Sequence, residues 1–177
     1  MNGSIRTLAL TAFAASLAIA APRAQSASIK ADFVKEWTGQ KDTLMKIADA
    51  MPEDKYGFKA TPAQRSYGEH VKHIAEVNMM LLKTLGATVP EPKINAQART
   101  KAEVMKAMAD SFDYGLAILN QQTDQTMVGT IQGPPWMGPS TRARIITFLV
   151  GHTQDTYGQM VVYLRLNGGV PPASQRP

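Results

Sequence analysis

Residues 140–169, STRARIITFLVGHTQDTYGQMVVYLRLNGG, decide how the rest of the chain is read. Ile145, Leu149, His152, Thr156 and Tyr163 recur there at spacings of three, four and seven, the mark of one helix face rather than of an alternating strand. Ser140 stands ahead of the run as a candidate N-cap, and Gly168 with Pro171 and Pro172 closes it. His152 and Thr156 therefore lie one turn apart on the stripe expected to face the core. A buried imidazole there needs a hydrogen-bond partner or a metal.

Three upstream segments repeat the 3.6-residue period. The first, from about Ile29 to Met51, aligns Phe33, Trp37, Leu44, Ile47 and Met51, and Pro52 ends it. After a polar connection, Ser66 and Glu69 form a capping box that opens the second, which carries His70, His73, Ile74, Val77, Leu81 and Leu85 and stops at Gly86. His73 borders that apolar stripe, so its ring and that of His152 can converge between helices, as side chains do in bundle metal sites. Thr100 and Glu103 are a second capping box, opening a helix with Val104, Met108, Phe112, Gly115 and Leu119 on its buried face. Residues 123–140, TDQTMVGTIQGPPWMGPS, then form a long connection rich in breakers. Almost nothing shows a period of two. The expectation is an all-α, single-domain four-helix bundle, with up-and-down connectivity as the simplest arrangement and the long connections leaving room for crossovers.

Ahead of the bundle, residues 1–26 pair an early charge at Arg6 with an apolar run from Leu8 to Ala21 and small residues after it, the pattern of a cleaved signal peptide. The run is too short and too alanine-rich for a membrane span. Cleavage can follow Ala20, within Ala18-Ile19-Ala20, or Ser26, within Ala24-Gln25-Ser26, and the later site is preferred because the next helix needs no residue before about Ala27. The expected organisation is a signal peptide over 1–26, the bundle over 27–172 and a flexible tail over 173–177. The expected location is periplasmic or secreted.

The chain has no cysteine, which removes disulfides and thiolate nucleophiles. Its net charge of +5 falls to +3 without Arg6 and Arg23, leaving 17 basic against 14 acidic residues without a basic stripe. Nucleic acid is not an expected partner. No G-x-S-x-G, phosphate-binding glycine loop or paired carboxylates appear, so serine hydrolase, nucleotide and glycosidase chemistry lack support. The ten methionines read as adaptable core filler.

RSYGEHVKHIAEVN, residues 65–78, and HTQDTYGQMVVYLRLNGGVPP, residues 152–172, resemble the second-helix and C-terminal motifs of the DinB/YfiT-like proteins. The likeness extends from about Ala31 to Pro172 and implies the DinB-like four-helix bundle. It also implies a divalent-metal site with His73 and His152 as ligands and position 156 as the third, where this chain has Thr in place of His. A neutral hydroxyl is a weak donor, so zinc, nickel or manganese is expected at low occupancy. His70, Glu76 and Asp155 are nearby substitutes outside the family pattern, and Trp136, Tyr157 and Tyr163 are pocket candidates beside His70. The resemblance implies a metal-dependent hydrolase or transferase whose catalytic residues are unassigned. The alternative is a non-catalytic bundle that binds a small molecule around a vestigial metal site. Relatives associate through helix faces, which makes a homodimer the remaining partner expectation.

Overall fold

Helix α1 (Ile29–Ala50) begins where the Ser28 hydroxyl accepts from the Ala31 amide and where Asp124, distant in sequence, accepts from both the Lys30 amide and the Ser28 hydroxyl. An anion at a helix start is favourable because the first amides have no partner within the helix. This computed structural model describes residues 27–175, so the expected signal peptide over 1–26 and the last two residues of the expected tail lie outside the described residues. Helix α2 (Tyr67–Leu82) and helix α3 (Lys101–Asn120) open on the two expected capping boxes, Ser66–Glu69 and Thr100–Glu103. Helix α5 (Arg142–Leu166) is the longest of the described elements and carries the C-terminal motif. Pro172–Ser174 forms a short 3-10 turn across the last residue of the expected bundle and the first two of the expected tail.

The hydrogen bonds between element ends fix the direction of each helix. Tyr67, at the start of α2, and Lys101, at the start of α3, both reach carbonyls at the end of α1. Thr88, just past α2, accepts and donates with Gln121 at the end of α3. Helices α2 and α3 thus run parallel, and residues 86–100 return along the bundle to connect them. Arg142 at the start of α5 donates to Leu85 at the end of α2, while Tyr163 near the end of α5 donates to Arg65 just before α2. The order is up-down-down-up. Helices α2 and α3 pack together, α1 packs on α3 and α5, and α5 packs on α2, so α1 and α2 lie on a diagonal. The expected simple up-and-down arrangement is corrected here: hydrophobic periodicity records which face is buried, not which helix covers it.

The connection over 123–140 is more ordered than its breakers suggest. It holds a one-turn helix α4 (Asp124–Val128) and an antiparallel pair, β1 (Thr130–Gln132) and β2 (Pro139–Thr141), in which Ile131 faces Ser140. Gly138 turns the hairpin with φ +65°, a conformation glycine adopts without steric cost. The N-cap of α5 is Thr141, accepting from Arg144 at 3.1 Å, rather than Ser140, which belongs to β2. Three-residue strands are too short for alternation to register in sequence.

The tightest approach in the bundle is between α1 and α3. The Trp37 ring lies against Gly115, packs on Phe112 at 4.8 Å between centroids, and donates its indole N–H to the Phe112 carbonyl at 2.8 Å. A Cβ at position 115 would stand 2.5 Å from the Trp37 ring. Alanine gains about 1 kcal/mol over glycine in helix propensity, but overpacking a rigid ring costs about 1–3 kcal/mol. Gly115→Ala is therefore expected to lower stability by up to about 2 kcal/mol net, measured by urea unfolding. A higher midpoint would mean that α1 and α3 separate freely.

Candidate functional site

The antiparallel packing of α2 on α5 brings together two histidines that are 79 residues apart. His73 Nε2 lies 3.1 Å from His152 Nε2, with ring centroids 4.9 Å apart and planes inclined at 66°. Two neutral imidazoles can hold this geometry if one donates Nε2–H and the other accepts. Burial lowers the pKa of both groups. For His73 the Arg65 charge adds to that effect, and for His152 the His73 ring does. Both rings are therefore uncharged at neutral pH, the state needed either for the N–H···N bond or for metal ligation.

Thr156 is buried one turn beyond His152, but its hydroxyl donates to the His152 carbonyl at 3.0 Å, a bond within the helix. His152 Nδ1 is buried without a partner. Metal-bound histidines almost always donate their second ring N–H to an acceptor, and that support is missing at this atom. Glu76 faces Lys72 at 3.6 Å on the outer side of α2. Among the described residues no group of three or more His, Asp or Glu side chains could hold an ion. The expected substitutes for the third ligand are not assembled.

His70 is 2% exposed and stands edge-on to Tyr163, with centroids 5.0 Å apart. Its Nε2 also lacks a partner. Burial pushes its pKa down to about 4, assisted by the charge of Arg65 and by His73, while Glu69 and Asp155 act in the opposite direction. Tyr163 donates its hydroxyl to the Arg65 carbonyl at 2.9 Å, which secures the start of α2 against α5 and so aligns His70 and His73 with His152. Of the other pocket candidates, Tyr157 lines a cleft of about 180 Å³ with Thr43, Lys46 and Pro172. Trp136 is 58% exposed and packs on Phe148, on the outer side of α5. A cavity of about 540 Å³ lies between the starts of α2 and α3, beside Ser66, Lys72, Arg99 and Lys101. Its cations are engaged: Lys101 donates to the Asp49 and Met51 carbonyls, and Lys72 to that of Ala96.

The profile of the DinB family matches residues 24–177. The chain belongs to the DinB family. It is similar in structure to a DinB-like protein from Bacillus cereus ATCC 10987, with a TM-score of 0.71 and 18% identity over 82% of this chain and 96% of that one. A DinB-like protein from Bacillus subtilis superimposes with a TM-score of 0.64 at 21% identity, covering 82% of this chain and 99% of the other. A conserved protein from Enterococcus faecalis gives 0.54 at 13% identity, over 80% and 98%. At these identities the solved structures share the fold. No curated protein matches the sequence.

Sequence reading located the two converging imidazoles and the altered third position of this DinB-family chain. It missed Arg65, whose charge disfavours protonation of His70 and His73. That residue opens the second-helix motif just ahead of the Ser66 cap, where no apolar period ties its side chain to the site.

The depressed pKa of His70 has a definite sign in stability. The unfolded ring takes up a proton near its ordinary value of 6.5, whereas the folded ring resists until about 4, so acid favours unfolding across that interval. The loss is on the order of 2–3 kcal/mol by the low end. His70→Phe keeps a ring against Tyr163 and removes the titration. Urea unfolding from about pH 7 to about pH 4.5 is expected to show a shallower decline in the variant, and parallel curves would refute the assignment.

Proposed function

We propose that His73 and His152 form a degenerate divalent-metal site in an exported DinB-family protein, with a metal-dependent hydrolase or transferase as the activity of the loaded site. The observation that carries this reading is the 3.1 Å separation of two Nε2 atoms from different helices. Nitrogens on one tetrahedral zinc, each bound at about 2.0–2.1 Å, lie about 3.3 Å apart. The pair comes close to that spacing, and its rings are already neutral. Two positions fit an ion and the third fits poorly, because Thr156 offers a neutral hydroxyl engaged with its own helix. His73 and His152 would hold the ion through Nε2. A bound divalent metal lowers the pKa of a coordinated water or thiol and so supplies a nucleophile at neutral pH.

A second reading has its own support. The same 3.1 Å contact is a complete hydrogen bond between neutral rings, and His152 Nδ1 lacks the acceptor that ligation favours. In that case the pair is a vestige inside a bundle that binds a small molecule without transforming it.

Metal stoichiometry separates the two. After equilibration with zinc, nickel or manganese and desalting, plasma mass spectrometry is expected to find less than one ion per chain, and none in His152→Ala. Thr156→His is expected to raise metal affinity by about 10–100-fold. No retained metal in any of the three proteins, with each folded by circular dichroism, would remove the metal reading and leave the small-ligand one.

Export is the remaining part of the proposal and rests on residues 1–26 alone. N-terminal sequencing of the secreted or periplasmic protein is expected to begin at Ala27, after Ala24-Gln25-Ser26. A mature chain that retains Met1 would contradict it.

A further inference from the structure

The hairpin between β1 and β2 carries an aromatic ring that the core leaves out. In its turn, Pro134-Pro135-Trp136-Met137-Gly138, the Pro134 carbonyl accepts from the amides of both Met137 and Gly138. Two fixed proline φ angles and two hydrogen bonds make that turn stiff. What it presents is nevertheless exposed: Trp136 is 58% open to solvent, against 1% for Trp37. The Trp136 ring packs on Phe148, itself 41% exposed on the outer side of α5. Arg144, one turn before Phe148, lies against the same hairpin, donating to the Met137 carbonyl at 3.4 Å and to Ser140 Oγ at 2.9 Å. It is exposed, and no carboxylate pairs with it among the described residues.

We propose that Trp136, Phe148 and Arg144 dock this protein peripherally on an anionic lipid surface. A tryptophan joins an apolar body to one polar N–H, which suits it to the boundary between headgroups and acyl chains. A guanidinium beside it meets lipid phosphates at the same depth. The local charge is complementary to such a surface. Residues 125–154 contain Arg142 and Arg144 and no Asp or Glu. Asp124, just outside that stretch, is engaged by the Ser28 hydroxyl and the Lys30 amide. Shape favours lipid over a folded partner, because a ring standing out on a turn needs only depth to bury itself, whereas a protein must supply a matching hollow.

The place of the hairpin agrees. Arg142 ties the start of α5 to the Thr126 carbonyl of α4, and Asp124 ties α4 to the start of α1. The apolar run from Leu8 to Ala21 therefore joins the bundle at the hairpin end. No helix among the described residues is long and apolar enough to cross a membrane, so the contact is one of surface docking. This inference depends neither on metal at the histidine pair nor on the fate of residues 1–26.

The test uses residues 27–177, which keep the whole core and every described element while removing the apolar run. Vesicles of phosphatidylethanolamine and phosphatidylglycerol at 3:1 are the probe, with phosphatidylcholine vesicles as the uncharged control. Co-sedimentation at low salt is expected with the anionic vesicles, weakening as salt screens the surface. Tryptophan emission should shift to the blue on binding. Trp37 is already buried, so the shift reports Trp136. Trp136→Ser should abolish the shift and lower the partition coefficient by about tenfold, and Arg144→Gln should lower it by about fivefold on anionic vesicles alone. Both side chains are exposed, and circular dichroism checks that each variant is folded. Absence of binding to the anionic vesicles would overturn the proposal, as would binding unchanged by Trp136→Ser. Shielding of Trp136 that grows with protein concentration in the absence of vesicles would assign the patch to a second copy instead and overturn it equally.

Discussion

The free carbonyl groups at the end of α1 set the register of the whole bundle. The last carbonyls of a helix have no partner within it, and here no basic residue in the final turn of α1 serves them. Other elements do. Tyr67 donates to Ile47, Tyr56 donates to Ala48 at 2.7 Å, and Lys101 donates to Asp49 and Met51. Because Tyr67 is the first residue of α2 and Lys101 the first of α3, satisfying one helix end fixes where two others begin. Burial holds both tyrosines well above their ordinary pKa, so their hydroxyls remain donors at any ordinary pH. The site depends on this. About one and two turns beyond Tyr67, His70 and His73 inherit its placement, and Tyr163 completes the alignment from α5.

Much of this was legible in the chain. Both capping boxes were readable because Ser66, Glu69, Thr100 and Glu103 act through local geometry, which sequence spacing records directly. The four long helices were readable because each has one apolar stripe. The topology was not, since the same stripes suit an up-and-down bundle and the observed up-down-down-up order equally. What separates them is the return of residues 86–100 along α2, held by bonds such as Lys72 to the Ala96 carbonyl and Lys83 to Glu91 at 2.8 Å. Such contacts join residues whose spacing follows no period.

The site divides along the same line. His73 and His152 could be paired from their positions on two inward stripes, and the departure at Thr156 was visible by likeness to the family. The use made of the Thr156 hydroxyl was not visible, since a threonine in a helix can turn toward a site or back to the carbonyl four residues earlier. It does the latter. Nor could sequence show that two buried nitrogens, one on His70 and one on His152, would be left without partners. Those atoms depend on what fails to approach them.

Helix α5 is inverted in polarity along part of its length, and that inversion links its two faces. Inward, it presents His152, Thr153 and Thr156; outward, Phe148, Val162 and Leu166. The buried hydroxyls are satisfied locally, Thr153 by the Val150 carbonyl at 2.9 Å and Thr156 by that of His152. The imidazole is satisfied only at Nε2, and an unpartnered buried polar atom costs about 1–3 kcal/mol. Replacing a buried polar pair by apolar groups of similar shape is often neutral or stabilising. Packing alone therefore does not account for two histidines facing each other between α2 and α5. Nor does it account for apolar side chains facing water on the opposite side of α5. Local violations of this kind gather where something other than stability constrains the sequence. In α5 they fall on both faces of one helix, the inner one at the histidine pair and the outer one at Phe148, Val162 and Leu166.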